Sequence, residues 1–149
     1  MSETVEVKTC ELEGAVLDWA VAMAEGEEVI VHGIGQYRYD VRGGIHCCKY
    51  GCTFGPRSIT EEVERYEPSD SWAQGGPLIE KHRFEFEWIG SDWHGEPLRL
   101  FTACGCDMPA DATSAGPTHL IAACRAIVRA KLGETINVPA ELISMGGTE

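Results

Sequence analysis

The sequence contains no apolar run approaching the roughly 20 residues that cross a bilayer as a helix. Its start, Met1-Ser2-Glu3-Thr4-Val5-Glu6, lacks the basic n-region and apolar h-region of a signal peptide. No membrane role is expected, and the expected location is the cytoplasm. Positive charge is scarce: 12 basic residues stand against 24 acidic ones, for a net charge of −12. A field of that sign repels phosphate backbones, which disfavours direct nucleic-acid binding and leaves room for a basic protein partner. No Gly-x-Ser-x-Gly, His-Glu-x-x-His or Walker sequence occurs. The adjacency of His46 and Cys47 in sequence does not create a catalytic dyad. The chain is therefore read as leaning away from enzymes.

At 149 residues, 44% of them hydrophobic, the chain fits one domain over residues 1–149 and can bury a core without a covalent staple. Thr9 is placed to N-cap a helix running to about Glu25, with Gly26 beyond its end. Leu12, Ala15, Val16, Trp19, Ala20 and Met23 recur at helical spacing and are expected in the core. Leu17 and Val21 form a second apolar pair on roughly the opposite side, leaving a narrow polar arc around Glu11, Gly14, Asp18 and Glu25. Such a helix is either covered on two sides within the subunit or meets a second copy in a homodimer. A second helix is expected from Pro117 to Leu132, with Leu120, Ile121, Cys124, Ile127 and Val128 in its apolar stripe and Arg125 and Arg129 on its more exposed side.

Between the helices, Val29–Val31 reads as a strand, and residues 42–71 as a long loop region rich in cysteine and glycine. Phe84, Phe86 and Trp88 alternate with Glu85 and Glu87, which predicts a half-buried antiparallel strand with Leu98–Ala103 as its partner. The expected fold is α+β: an antiparallel sheet of three to five strands with the two main helices packed on one face.

The most informative segment is Asp70 to Glu80. Gly75-Gly76-Pro77 suits a tight turn whose free amides could receive a phosphate or carboxylate, with Trp72 to stack on a base and Gln74 to read its polar edge. Arg83 and Arg125 would complete the site if folding brings them near. The bland alternative is that Trp72 plugs a sheet edge and the glycines merely permit a turn.

Trp72-Ala73-Gln74-Gly75-Gly76-Pro77-Leu78-Ile79-Glu80-Lys81, the stretch from Gly116 to Val128, Lys131-Leu132-Gly133 and the early Leu17-Asp18-Trp19-Ala20-Val21-Ala22 together resemble the NinX family of bacteriophage accessory proteins. The resemblance implies a phage accessory protein and carries no assigned activity. This chain departs from the pattern at Ser71, where the family is expected to have Asp, and in its loop cysteines.

Seven cysteines is an odd number, and reduced thiols are expected. Cys10 and Cys124 read as small core residues within helices. Cys48, Cys52, Cys104 and Cys106 offer two pairs that could ligate zinc, with Cys47, His46 and His94 as spare donors; ordinary loop thiols are the alternative. The function expected first is binding of a small anionic ligand, such as a nucleotide, to modulate host physiology or defence. The competing expectation is an acidic, DNA-mimicking module that binds a host or phage protein.

Overall fold

The computed structural model describes residues 4–27, 29–32, 46–49, 65–140 and 142, with residues 29–32, 46–49 and 65 described by their backbone alone. The two ends of the described chain alternate apolar and polar residues, and they pair. Strand β1 (Thr4–Lys8) runs antiparallel to β8 (Thr135–Pro139), with Val7 opposite Ile136 and Val5 opposite Val138. Sequence patterning predicts only a short segment from Val138 onward and no element at residues 4–8.

Thr9 does not cap a helix. Its buried hydroxyl donates to the carbonyl of Gly133 at 2.6 Å and its N–H donates to the carbonyl of Glu134, so it fastens the end of β1 to the far end of the chain. Thr9–Glu11 forms a single 3-10 turn, Leu12 is extended, and helix α1 (Gly14–Glu25) starts at a glycine with φ of +63°. Cys10 therefore lies exposed in the turn and is no core residue. Helix α1 closes as expected at Gly26, in the left-handed region.

The faces of α1 also differ from the reading. Leu17, Ala20, Val21 and Ala22 are fully buried, Val16 and Trp19 are half-buried, and Met23 is exposed. Two members of the supposed polar arc are buried as well: Asp18 and the side chain of Glu25. The helix is covered on two sides within one subunit.

Strands β2 (Val29–His32), β3 (His46–Lys49) and β4 (Arg65–Tyr66) form a second antiparallel sheet, in the order given. A third sheet contains β5 (Phe84–Ser91), β6 (Pro97–Gly105) and β7 (Ser114–Gly116). The class is α+β, and pairing among the described strands is antiparallel throughout. The described strands are divided among three small sheets, and a third helix, α2 (Trp72–His82), contains the Gly75-Gly76-Pro77 segment expected to form a tight turn.

Helix α3 (His119–Leu132) organises these pieces. Pro117 precedes it, Thr118 caps it by accepting from the Ile121 N–H, and Gly133 ends it. Ala122, Ala123 and Ala126 are small enough to let the helix lie close on β6 and β7, while Cys124 and Val128 pack with Leu17 and Val21 of α1. So α3 lies on the third sheet, and α1 packs on α3 and on β2 and β3. The two helices do not share one face of the sheet. A sheet of two long strands and one three-residue strand is too narrow for both.

The alternation in β5 places Glu85 and Glu87 outward, as expected. Phe84 and Phe86 are half-buried against the small residues of α3. Trp88 is a correction: it is 53% exposed, because α3 begins beside Phe101 and nothing described covers the strand beyond that point.

Gly75-Gly76-Pro77 lies inside α2, not in a turn. A Cβ on Gly75 would collide with the carbonyl of Pro68 and with Leu120, so this glycine sets how closely α2 approaches α3. A Cβ on Gly76 would meet only the Trp72 ring, at an ordinary 4.0 Å. Gly75→Ala is expected to cost about 1–3 kcal/mol through overpacking. Gly76→Ala should be neutral or stabilising by roughly 0.5–1 kcal/mol, as for alanine in a helix interior. Urea unfolding of the two variants checks the contrast.

Candidate functional site

The first turn of α2 presents Trp72 to solvent with 59% of its surface exposed. The other residues expected to form a ligand site around it do different work. The side-chain carbonyl of Gln74 accepts the N–H of Glu67 at 2.6 Å, closing the turn before the helix. The amide of Gly75 is spent on the carbonyl of Ser71. Gly76 provides room beneath the Trp72 ring and sits within the helix. Arg125 donates from Nε to the Leu12 carbonyl and from Nη1 to the Ala115 carbonyl, both at 2.8 Å, joining α3 to the entry of α1 and to β7. Arg83 is the left-handed cap at the far end of α2, roughly 16 Å along the helix axis from Trp72. The structure therefore keeps Trp72 accessible and does not bring Arg83 and Arg125 to it as free cations.

Trp72 belongs instead to an aromatic surface. The His119 ring, at the start of α3, lies 6.0 Å from Trp72, 4.8 Å from Phe86 and 3.9 Å from Phe101 between centroids. Phe101 in turn lies 4.8 Å from Trp88 across the β5–β6 pair. Beyond Trp88 the hairpin continues to a tip where Trp93 is 89% exposed. Asp92 shapes that tip by accepting the N–H groups of His94 and Glu96. The alternation in the sequence predicts Trp88 on the buried face and gives no signal at His119 or Trp93. The alternation at Phe84–Trp88 signalled the face, but only the position of α3 decides how far along the strand that face is covered.

On another side of α2 a buried ionic network holds its C-terminus. His82 is 2% exposed; its Nε2 faces Glu25 Oε2 and its Nδ1 faces Asp107 Oδ2, each at 2.8 Å. A ring nitrogen that carries hydrogen donates to the carboxylate it faces. Lys81 adds a second contact to Glu25. Burial pushes the Glu25 carboxyl upward, but the hydrogen bonds from Lys81 and His82 outweigh it and hold the group below the usual carboxylate range. The His82 hydrogen bond likewise holds Asp107 low. Nearer the start of α1, Asp18 accepts the N–H of Ser69 at 2.9 Å. There burial dominates, and the carboxyl is pushed up to about 7. Both networks depend on which distant segment lies over α1, and local sequence patterning carries no signal of that.

Cys104 is half-buried and within 3.6 Å of the carbonyls of Gly105 and Pro109; Cys106 is exposed. The Cys48 side chain and all of Cys52, two of the four expected zinc ligands, lie outside the described residues. A groove of about 240 Å³ is lined by Lys8, Thr9, Cys10, Arg129, Glu134 and Thr135, none of them an expected ligand-binding residue.

The carboxylates make opposite contributions to stability as pH changes. Glu25 is depressed in the fold, so its contribution is complete above its unfolded value of about 4.3 and is lost as pH falls through the lower folded value. Glu25→Gln is expected to flatten the acid limb of stability against pH. Asp18 is raised, so stability declines between about pH 4 and about pH 7 and is level above that. Asp18→Asn should gain on the wild type across that window, with an upper limit of about 4 kcal/mol. His82→Ala, which leaves the buried Glu25 side chain with Lys81 alone, should cost about 3 kcal/mol. Urea midpoints measured from pH 3 to pH 8 check all three.

No curated protein matched the chain. Among the described residues no helix is long and apolar enough to cross a membrane. The family described as "Bacteriophage P22, NinX" matches residues 8–131, a span that takes in α1, α2, the β5–β6 hairpin and nearly all of α3. The chain belongs to the phage NinX family.

Proposed function

We propose that this phage accessory protein acts by docking a protein partner through the aromatic surface of Trp72, His119, Phe101 and Trp88 and the hairpin tip at Trp93. The carrying observation is the exposure of three tryptophans at 59%, 53% and 89% on or next to one face. Tryptophan gains most from being removed from water, and it is over-represented among the residues that anchor protein interfaces. Scattered apolar side chains are ordinary on a protein surface, whereas a contiguous aromatic group is not. The net charge of −12 selects for a basic partner surface.

The second reading keeps Trp72 as a platform for a small anionic ligand such as a nucleotide. It is favoured by the open Trp72 ring beside His119, where α2 and α3 both begin. It lacks a nearby free cation among the expected residues, since Arg125 is committed to carbonyls and Arg83 caps the other end of α2.

Trp88→Ala and Trp93→Ala should each change the melting temperature by only a few degrees, as for surface substitutions. Each should nevertheless remove a protein that co-purifies with the wild type from infected cells, as judged by native mass spectrometry. A wild-type sample that carries a nucleotide, lost in Trp72→Ala but kept in the hairpin variants, would overturn the docking reading in favour of the ligand.

A further inference from the structure

We infer that β5 is an acceptor edge: the partner adds an extended segment, alternating apolar and basic residues, alongside Phe84–Ser91. This deepens the docking reading and rests on it. Among the described residues β5 pairs on one side only, with β6, while β6 pairs on both sides. An eight-residue edge presents a row of backbone donors and acceptors that a second strand can satisfy.

The hydrogen-bond register shows which groups turn outward. Cys106 donates its N–H to the carbonyls of His82 and Arg83, which makes Arg83 and Cys106 a bonded pair at the foot of the ladder. Bonded and non-bonded pairs alternate in antiparallel strands. Glu85 with Cys104 and Glu87 with Thr102 are then the bonded pairs, and the N–H and C=O groups of Phe84, Phe86 and Trp88 face the free edge. The same alternation on β6 leaves the Ala115 carbonyl of β7 pointing away from the sheet, where it accepts from Arg125.

Side chains specify the incoming segment. Glu85 and Glu87 are exposed on one face, and Phe86 and Trp88 are partly uncovered on the other. A strand laid beside them places its residues alternately next to carboxylates and next to rings. Lysine or arginine in one set and apolar residues in the other complement both. A second copy of this chain does not: antiparallel self-pairing centred on Phe86 sets Glu85 opposite Glu87, and parallel self-pairing sets each glutamate beside its counterpart. The edge that admits a basic segment thus repels its own kind, in keeping with the chain's net charge of −12.

The test uses the whole chain and two synthetic peptides of roughly nine residues, one alternating valine with lysine and one alternating valine with glutamate. The lysine peptide should bind, and on binding the amides of Phe86 and Trp88 should become protected from hydrogen exchange, whereas those of Glu85 and Glu87 are protected with or without it. Reversal of both charges, Glu85→Lys with Glu87→Lys, should weaken the lysine peptide about tenfold or more and transfer binding to the glutamate peptide. The milder Glu85→Gln with Glu87→Gln should weaken the lysine peptide without that transfer, which covers the case in which reversal disturbs folding. Peptide binding that leaves Phe86 and Trp88 amides unprotected, or that ignores both pairs of substitutions, would overturn the edge assignment. If Trp88→Ala and Trp93→Ala still abolish the natural partner under that result, docking survives and strand addition alone has failed. If they do not, both have failed.

Discussion

The architecture depends on satisfying two carboxylates that α1 carries into the interior. Asp18 and Glu25 lie two turns apart along the helix, and each is covered by a segment that must bring it a donor. The turn before α2 supplies the Ser69 N–H to the first, and the end of α2 supplies His82 and Lys81 to the second. In this way α2 is held at both ends against α1 by polar contacts, and His82 carries the connection on to Asp107 beyond β6. Such contacts add little net stability over an apolar core of the same shape. Removing one partner from the Glu25 contacts is nevertheless costly, so they fix where the end of α2 lies.

That position has consequences elsewhere. With α2 pinned, Gly75 is pressed onto the Pro68 carbonyl and Leu120, and the start of α2 comes beside the start of α3. Trp72 and His119 are thereby brought to the edge of the β5–β6 face, where they continue the line of Phe86, Phe101 and Trp88. The small residues of α3 draw the helix down on the base of the hairpin and leave its outer half uncovered. A polar staple on one side of the molecule thus leads, through close packing, to an aromatic surface on another.

The function proposed for this family member follows from what the fold leaves over. Of the two arginines that a ligand site would have used, Arg125 bridges backbone carbonyls and Arg83 stands at the far end of α2 from Trp72. Trp72, Trp88 and Trp93 are left exposed, and the backbone of β5 has a free side among the described residues. Apolar rings, unpaired backbone groups and a strongly acidic chain together favour a protein partner over a phosphate-bearing one.

The sequence by itself determined the elements whose signal is local. The apolar stripe and Gly133 place α3, the alternation at Phe84–Trp88 places β5 and orients Glu85 and Glu87, and Gly26 ends α1. Family membership was legible in the Trp72–Lys81 stretch and around α3 for the same reason: those residues stand consecutively in the chain. Everything that depended on a distant neighbour went elsewhere. Thr9 looked like a cap and is bound to Gly133, 124 residues away; Asp18 and Glu25 looked solvated and are buried; Gly75-Gly76 looked like a turn and lies in a packed helix. Trp88 looked like core and is surface because α3 stops short of it. Periodicity records which residues share a face, but whether that face is covered is set by segments far along the chain, and only the tertiary structure decides that.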